Sequence, residues 1–448
     1  MAALLFDRRQ LFKLLWPLVV EQLLTVLVGV IDVFMVAYVG EATVAGVSLV
    51  DSVNYLFIQV LFALTAGGTV VCAQFVGAQD LSDVGRSCAN LMLVTVSGMT
   101  VVSLVLVLGG PQILSAIFGS VSEDIMENAL IYLSFTASSL PFMALFYSVA
   151  AAFRANGETR LSMIASLLMN FINVVGNAVC IFGLHMGVVG VALPTLLSRI
   201  AASAFMLWLF QRPTNKVRFT SLRQFKPDWQ IVKRILSIGV PGGVESGLFN
   251  VGKVLLQSLV STLGTASIAA YAVASSLVTF LYLPGNALGV GLMTIVGQCE
   301  GMGDRAQGRR YAKKLLGLNY VMVAFVGAAL AFGIGFWIGL YNLSPEASAL
   351  AAQLVVAHSI AMAIWPPAFL LPSYFRSVNR ATFPMVVAIA TMVVVRVGLA
   401  YLFVGYFGLG LIWVWYAMFA DWAVRLVVFL IAFHRMGRAP MHAVEREG

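Results

Sequence analysis

The stretch from Leu14 to Ile31 reads LLWPLVVEQLLTVLVGVI, which is largely apolar apart from Glu21, Gln22 and Thr25. A helix rises about 1.5 Å per residue, so a run of about this length crosses a hydrocarbon layer of about 30 Å. Similar runs recur along the whole chain. Lipid leaves the edge of an open sheet unpaired, and a barrel would show short alternating strands instead of long apolar runs. The pattern therefore predicts an all-α membrane protein.

The composition supports the same fold class. The 448 residues are 60% hydrophobic and 10% charged, with a mean hydropathy of +0.95. Soluble domains carry roughly a quarter charged residues. We predict twelve transmembrane helices, at 12–38, 46–74, 87–109, 125–151, 160–183, 188–211, 234–262, 267–296, 312–340, 347–375, 382–405 and 409–433.

Basic residues indicate how these helices are oriented. Outside the spans, the Lys and Arg residues fall at the termini and in alternate loops, such as those at Arg86 and between Arg212 and Arg234. Because cytoplasmic loops carry the excess of Lys and Arg, we predict a multi-pass protein with both termini in the cytoplasm. The net charge of +8 therefore reports topology, and no nucleic-acid partner is predicted because no basic cluster sits on a soluble domain.

The chain has four cysteines, all within or at the ends of apolar segments, and no CxxC pair. We interpret them as small packing residues. The sequence also has no HExxH, GxSxG or P-loop motif, and its membrane acids are dispersed. An enzyme, a cofactor and a structural metal are therefore not predicted, and an integral membrane enzyme is the weaker alternative.

The two halves of the chain are related by one ungapped offset. A shift of 224 positions superimposes Pro17 on Pro241 and Glu21 on Glu245, and it matches further Gly, Gln and Asp residues at helix ends. Shared proline and acidic positions at one offset indicate an internal duplication. We predict an N-terminal six-helix lobe at 1–211, a cytoplasmic linker at 212–233 and a C-terminal six-helix lobe at 234–448.

The repeat also predicts a mechanism. With six spans in each half, both repeats start from the same side of the membrane and are related by an axis along its normal. Two pseudo-symmetric bundles of this kind surround a central cleft, and rocking of one against the other gives alternating access. Transport is the predicted function class, and a passive channel is the alternative.

Asp32 is the most informative charge inside a span. It lies about two-thirds along the first span among apolar residues, with no basic residue in helical reach. A bare carboxylate is costly in lipid, so a proton or a sodium ion can compete for it. A neutral carboxylic acid held by hydrogen bonds in the bundle core is the alternative. Asp51, near the outer end of the second span, is expected to be solvated.

Polar residues of the fifth and sixth spans are candidate partners for Asp32. The fifth span carries Asn170, Asn173 and Asn177, and the last two share a helix face because they are one turn apart. Thr195 follows Pro194 in the sixth span. Their oxygens suit a hard cation, and their amide N–H groups suit a carboxylate. Asparagine also serves as a link between membrane helices.

Glu21 and Glu245 occupy equivalent places in the two halves. Glu21 lies eleven residues before Asp32, on nearly the same helix face. It either lines the cytoplasmic end of the same path or, together with Glu245, supports the shared scaffold.

The second half places an acid and several bases inside spans. A substrate path or an internal network of Glu245, Lys253, His358 and Arg396 is therefore possible, with no pairing fixed by sequence. Asp421 and Arg425 are four residues apart on the last span and are expected to neutralise each other. Trp365, Pro366 and Pro367 are expected to break the tenth span.

Several motifs together resemble the multidrug and toxic compound extrusion (MATE) family of bacterial transporters. The resemblance covers the whole chain. The motifs are Leu15-Trp-Pro17 with Asp32-Val-Phe-Met-Val, Ala73-Gln-Phe-Val-Gly-Ala78, Phe153-Arg-Ala-Asn-Gly157, Asn173-Val-Val-Gly-Asn177 and Ile181-Phe-Gly183, with copies in the second half.

The resemblance implies an exporter of cationic or amphipathic small molecules that takes in H+ or Na+, in the inner membrane of a bacterium and as a monomer. It implies that Asp32 couples the ion, with Asn173, Asn177 and Thr195 grouped near it. Some members have a second acid where this chain has Asn177, so the cluster near Asp32 offers a sodium ion one carboxylate fewer than theirs. Glu245 stands about one turn before the acid typical of other branches. A lipid-linked oligosaccharide flippase of the same superfamily is the alternative within transport, although its basic cavity would have only Lys253, Arg396 and Arg199 as candidates.

Overall fold

The computed structural model describes residues 5–119, 121–213, 215, 218–219 and 222–436. All regular secondary structure in these ranges is helical. The predicted linker at 212–233 and the predicted C-terminal lobe, which runs to residue 448, each include positions outside the described residues. Two compact units divide the chain between Gly243 and Val244, within one helix.

The first unit contains six long helices and the start of a seventh. A π-helical turn, Val179–Gly183, continues α5, and a 3-10 turn, Leu222–Phe225, follows α6. The helices are α1 (Arg8–Val39), α2 (Glu41–Gly77), α3 (Leu81–Phe118), α4 (Glu123–Ala155), α5 (Thr159–Ala178), α6 (Val189–Gln211) and α7 (Trp229–Ser261).

The second unit begins inside α7 and contains several interrupted helices. Two π-helical segments, Thr391–Val397 and Tyr401–Tyr406, interrupt its penultimate span. The helices are α8 (Thr265–Gly301), α9 (Arg305–Phe332), α10 (Ile334–Gly339), α11 (Pro345–Ala361), α12 (Trp365–Ser377), α13 (Thr382–Ala390), α14 (Gly398–Ala400) and α15 (Ile412–Arg435).

These helices confirm the all-α membrane fold. Among the described residues, ten helical segments are long and apolar enough to cross a membrane, and α11 with α12 adds one bent span. α7 corresponds to the remaining predicted span. It is 33 residues long, but Glu245 and Lys253 make it less apolar.

The bend between α11 and α12 is 56° and confirms the predicted break of the tenth span. It falls just before Trp365, because proline lacks an N–H and disfavours a helical conformation in the residue that precedes it. The ninth span was predicted to run to residue 340, and α10 continues it to Gly339 after an interruption at Gly333. The Trp337 side chain packs over Gly333, where an added Cβ would lie 2.8 Å from its Nε1 atom.

Glycines let α2 approach the first part of α7 within the first unit. A Cβ at Gly67 would lie 2.6 Å from the carbonyl oxygen of Ile235, and one at Gly239 would lie 2.9 Å from the Cα of Leu64. Side chains are excluded at both positions. The two backbones therefore pack in direct contact, as small residues permit between membrane helices.

Local geometry repeats between the two units and confirms the duplication. Asp80 accepts a hydrogen bond from the backbone N–H at the start of α3, as Asp304 does at the start of α9. Gly157 and Asn379 adopt left-handed φ values of 82° and 60° after α4 and α12. The same sequence positions therefore start and stop the corresponding helices.

Candidate functional site

The site in the first unit begins with a close contact between α5 and α6. Gly176 faces Pro194, and a Cβ on this glycine would lie 2.7 Å from the proline Cβ. The approach brings the polar face of α5 against Thr195. The Thr195 Oγ1 atom lies 2.9 Å from the Val191 carbonyl oxygen, one turn earlier in its own helix.

Asp32 of α1 meets this face. The Asn177 Nδ2 atom donates to Asp32 Oδ1 at 3.1 Å. Asn177 is 1% exposed and Asn173 is 8% exposed, whereas Asp32 is partly exposed. The structure thus groups Asp32, Asn173, Asn177 and Thr195, as the sequence predicts.

The Asn173 amide supplies a second donor to the carboxylate. When the amide nitrogen of Asn173 faces α1, it lies 3.2 Å from Asp32 Oδ1 and 3.3 Å from Asp32 Oδ2. The amide oxygen of Asn173 then accepts a hydrogen bond from Thr195 Oγ1 at 3.1 Å. This orientation satisfies both ends of the amide, whereas the reverse leaves its oxygen facing only acceptors. Two amide N–H groups therefore converge on one carboxylate.

Asp32 forms no ion pair with any basic residue that the structure describes. The backbone at Gly29, one turn earlier, borders open space. The Asn177 Oδ1 atom is buried without a hydrogen-bond partner in the described chain. No group of three or more His, Cys, Asp or Glu side chains gathers there or elsewhere among the described residues. The arrangement can bind a proton at the carboxylate and offers few oxygens to a metal ion.

Asn170 does not join this cluster. Its Nδ2 atom is buried and has no hydrogen-bond partner among the residues described. It lies on α5, one turn before Asn173, but no hydrogen bond links it to Asp32. The prediction that it belongs to a substrate path stays a prediction.

Asp51 pairs with Tyr132 of α4, a contact that the sequence did not reveal. It is exposed on α2, as expected, and accepts a hydrogen bond from the Tyr132 hydroxyl at 3.2 Å. Arg199, which the sequence offers as a cavity base, donates to Ser139 Oγ at 2.6 Å. Tyr132 and Asp51 are 81 positions apart in the sequence, so no local sequence pattern predicts their hydrogen bond.

Glu21 and Glu245 each bind an arginine at the end of the fourth span of their own unit. Arg154 Nη2 lies 2.5 Å from Glu21 Oε1, and Arg376 Nη2 lies 2.6 Å from Glu245 Oε2. The two pairs are duplicates of each other. They favour the scaffold role for both glutamates over the substrate path, and they remove Glu245 from any ion pair with Lys253 or Arg396.

His358 lies in an aromatic cluster of the second unit. It is 0% exposed, and its Nε2 atom lies 3.0 Å from the Tyr282 hydroxyl. The rings of Trp415 and Trp422 are 4.9 Å and 5.0 Å away. Hydrogen bonds from His358 reach neither Lys253 nor Arg396. Glu245 and His358 therefore bind other partners, whereas Lys253 and Arg396 lie over the same ring, that of Phe249.

Two arginines of the second unit differ in their partners. Arg425 binds Asp421 at 2.7 Å, as predicted, and also the Ala388 carbonyl at 3.1 Å. Arg396 instead lies over the ring of Phe249, with the guanidinium carbon 5.4 Å from the ring centroid.

Known proteins share this architecture. The family model described as MatE matches residues 17–179 and 241–402, one stretch in each half. A probable multidrug resistance protein NorM from Thermotoga maritima is 26% identical over 95% of this chain and 92% of its own. The multidrug export protein MepA of Staphylococcus saprophyticus is 23% identical, over 96% and 95%. A solved outward-facing structure of a multidrug resistance MATE family transporter of the MOP superfamily is 20% identical, has a TM-score of 0.89 and covers 95% of each chain.

Proposed function

Because this chain belongs to the MatE family of membrane transporters, we propose that it is a secondary active antiporter. It exports cationic or amphipathic small molecules and takes in H+ or Na+ in exchange, by alternating access. The names of the relatives NorM and MepA support a multidrug substrate range. The protein acts as a monomer in the bacterial inner membrane, with both termini in the cytoplasm.

The observation that carries the proposal is the Asp32 carboxylate with two amide donors and no cation. A buried charge without a counter-ion persists in a membrane helix only where it has a function or strong hydrogen bonds. Asp32 has the hydrogen bonds, and its partial exposure leaves it reachable by ions.

Proton uptake at Asp32 explains how ion binding alters the helices. An ionised carboxylate only accepts hydrogen bonds, whereas a protonated one also donates. When Asp32 takes up a proton, the hydrogen bonds from Asn173 and Asn177 weaken, so the contact of α1 with α5 changes. A two-state element of this kind is what an ion gradient must bias. The two N–H donors favour H+ over Na+, since sodium requires oxygen ligands.

The test uses purified protein in liposomes with an imposed proton or sodium gradient and a fluorescent cation such as ethidium. The wild type should accumulate the dye only with a gradient, and Asp32→Asn should lose gradient-driven accumulation. Asp124→Asn, which neutralises an exposed acid at the start of α4, is the matched control and should transport normally. Flux without a gradient, or normal coupling in Asp32→Asn, would contradict the proposal.

A further inference from the structure

Two cations of the second unit lie against one aromatic ring. The Lys253 ammonium is 5.6 Å from the centroid of the Phe249 ring, and the Arg396 guanidinium carbon is 5.4 Å from the same centroid. Phe249 is partly buried against the hydrophobic core of this unit. Lys253 is exposed on α7, whereas Arg396 is 6% exposed.

Neither cation has an acidic partner in the described part of the chain. Glu245, one turn before Phe249, binds Arg376, and Asp421 binds Arg425. The Arg396 Nε atom is buried without any hydrogen-bond partner among the described residues. An aromatic ring compensates a cation less well than an anion does, and a second cation at the same ring adds repulsion. A bound anion would balance the two charges more completely than the ring does.

The backbone around Arg396 has a feature that is frequent at functional sites. Arg396 lies in the π-helical segment Thr391–Val397, and such segments are frequent at functional sites. Gly252 lets this segment pack against α7, since a Cβ there would lie 2.1 Å from the Met392 Cε atom. The position of Lys253 corresponds to Gly29 in the first half. The pair of cations therefore does not belong to the duplicated scaffold.

We propose that Lys253 and Arg396 bind an anionic oxygen group, such as a carboxylate, sulfonate or phosphate, of an amphipathic substrate. The apolar body of that substrate packs against Phe249. Arginine and lysine bind such groups through charge-assisted hydrogen bonds, and removal of water strengthens them. The inference rests on the proposed transport function and assigns the residues that bind the anionic end of such a substrate.

The test compares two dyes that differ only in this group. Rhodamine B carries a carboxylate, and its ethyl ester is a cation of the same shape. Binding is measured by fluorescence anisotropy with the full chain in phosphatidylcholine nanodiscs. The wild type should bind the acid more tightly than the ester. Lys253→Gln and Arg396→Gln should each weaken binding of the acid about tenfold, and binding of the ester should change less than about twofold.

Control variants separate this site from folding and from coupling. Lys253→Arg should keep binding of the acid, and so should Lys233→Gln, which removes another exposed lysine of α7. Because Arg396 is buried, the Lys253 variants decide the test if Arg396→Gln does not fold. Asp32→Asn should bind both dyes normally, and Lys233→Gln should keep gradient-driven uptake of ethidium, so failure of the antiport proposal is recognised separately.

Equal affinity of the wild type for both dyes, or unchanged binding of the acid in Lys253→Gln, would overturn the assignment. A repeat with phosphatidylglycerol in the nanodiscs distinguishes the two sources of an anionic group. A persistent preference for the acid supports a substrate site. Loss of that preference assigns the cations to a lipid headgroup and overturns the substrate site.

Discussion

Asp32 of the first unit and Lys253 of the second lie about one helical turn apart in the register of the repeat, yet they carry opposite charges. The offset of 224 sets Asp32 against Leu256, which is 1% exposed, and Lys253 against Gly29. Both units nevertheless keep the same glutamate and arginine pair. The duplication has thus preserved the ion pairs of the scaffold while the interior surfaces have diverged, one to hold an acid and the other to hold cations.

The largest expected effect concerns the shared ion pairs. Glu21→Gln should lower the free energy of unfolding by about 3–5 kcal/mol, because Arg154 is then buried without its acid. Glu245→Gln should cost less, since the side chains of that pair are 18% and 20% exposed, against 7% and 9% for Glu21 and Arg154. Unfolding by sodium dodecyl sulfate in mild detergent measures both. A larger loss for Glu245→Gln would show that exposure does not rank the two pairs.

An acid transplanted into the second unit tests whether the local partners matter. Leu256→Asp should cost about 2.5–3.5 kcal/mol, the scale of a charge inserted at a helix centre. Ala400 corresponds to Asn177 at an offset of 223, and it has no side-chain amide that could donate a hydrogen bond to the new carboxylate. The same unfolding assay checks this, with Leu256→Asn as the uncharged control. If Leu256→Asp were as stable as the wild type, the amides around Asp32 would not be what makes an acid tolerable.

A smaller effect is expected when one amide is removed. Asn177→Ala deletes the 3.1 Å hydrogen bond to Asp32, which is worth about 1 kcal/mol, so gradient-driven transport should slow about fivefold. Ser166→Ala is the control, because it truncates another buried polar side chain of α5 that does not bind Asp32. Initial rates of ethidium uptake in liposomes compare the two variants. Equal slowing by both would show that the effect comes from packing of α5.

Local signals explain why the fold was predictable. The span limits follow from the length of apolar runs, and the break near Trp365 follows from two prolines. The grouping of Asn173 with Asn177 follows from their spacing by one turn, and the family resemblance adds Asp32 and Thr195. Each of these predictions depends on neighbours in sequence or on a known motif.

Contacts between distant segments account for what the sequence left open. Arg154 and Glu21 are 133 positions apart, and Arg376 and Glu245 are 131 apart. No periodicity relates such residues, so the two roles considered for each glutamate stayed equally plausible. The unpaired state of Arg396 was hidden for the same reason, since it depends on which acids other arginines have already bound.

The π-helical segment Thr391–Val397 records an event in the history of the gene. The turns after α4 and α12 correspond at an offset of 222. In the first turn the backbone N–H of Glu158 bonds the carbonyl of Phe153, and in the second that of Arg380 bonds the carbonyl of Phe375. Further along, the backbone hydrogen bond from Leu184 to Val179 corresponds to the one from Phe407 to Leu402 at an offset of 223. One codon is therefore extra in the second copy between these points, and the widened turn accommodates it. Arg396 lies within this segment, so the two copies differ in length as well as in charge where this arginine stands.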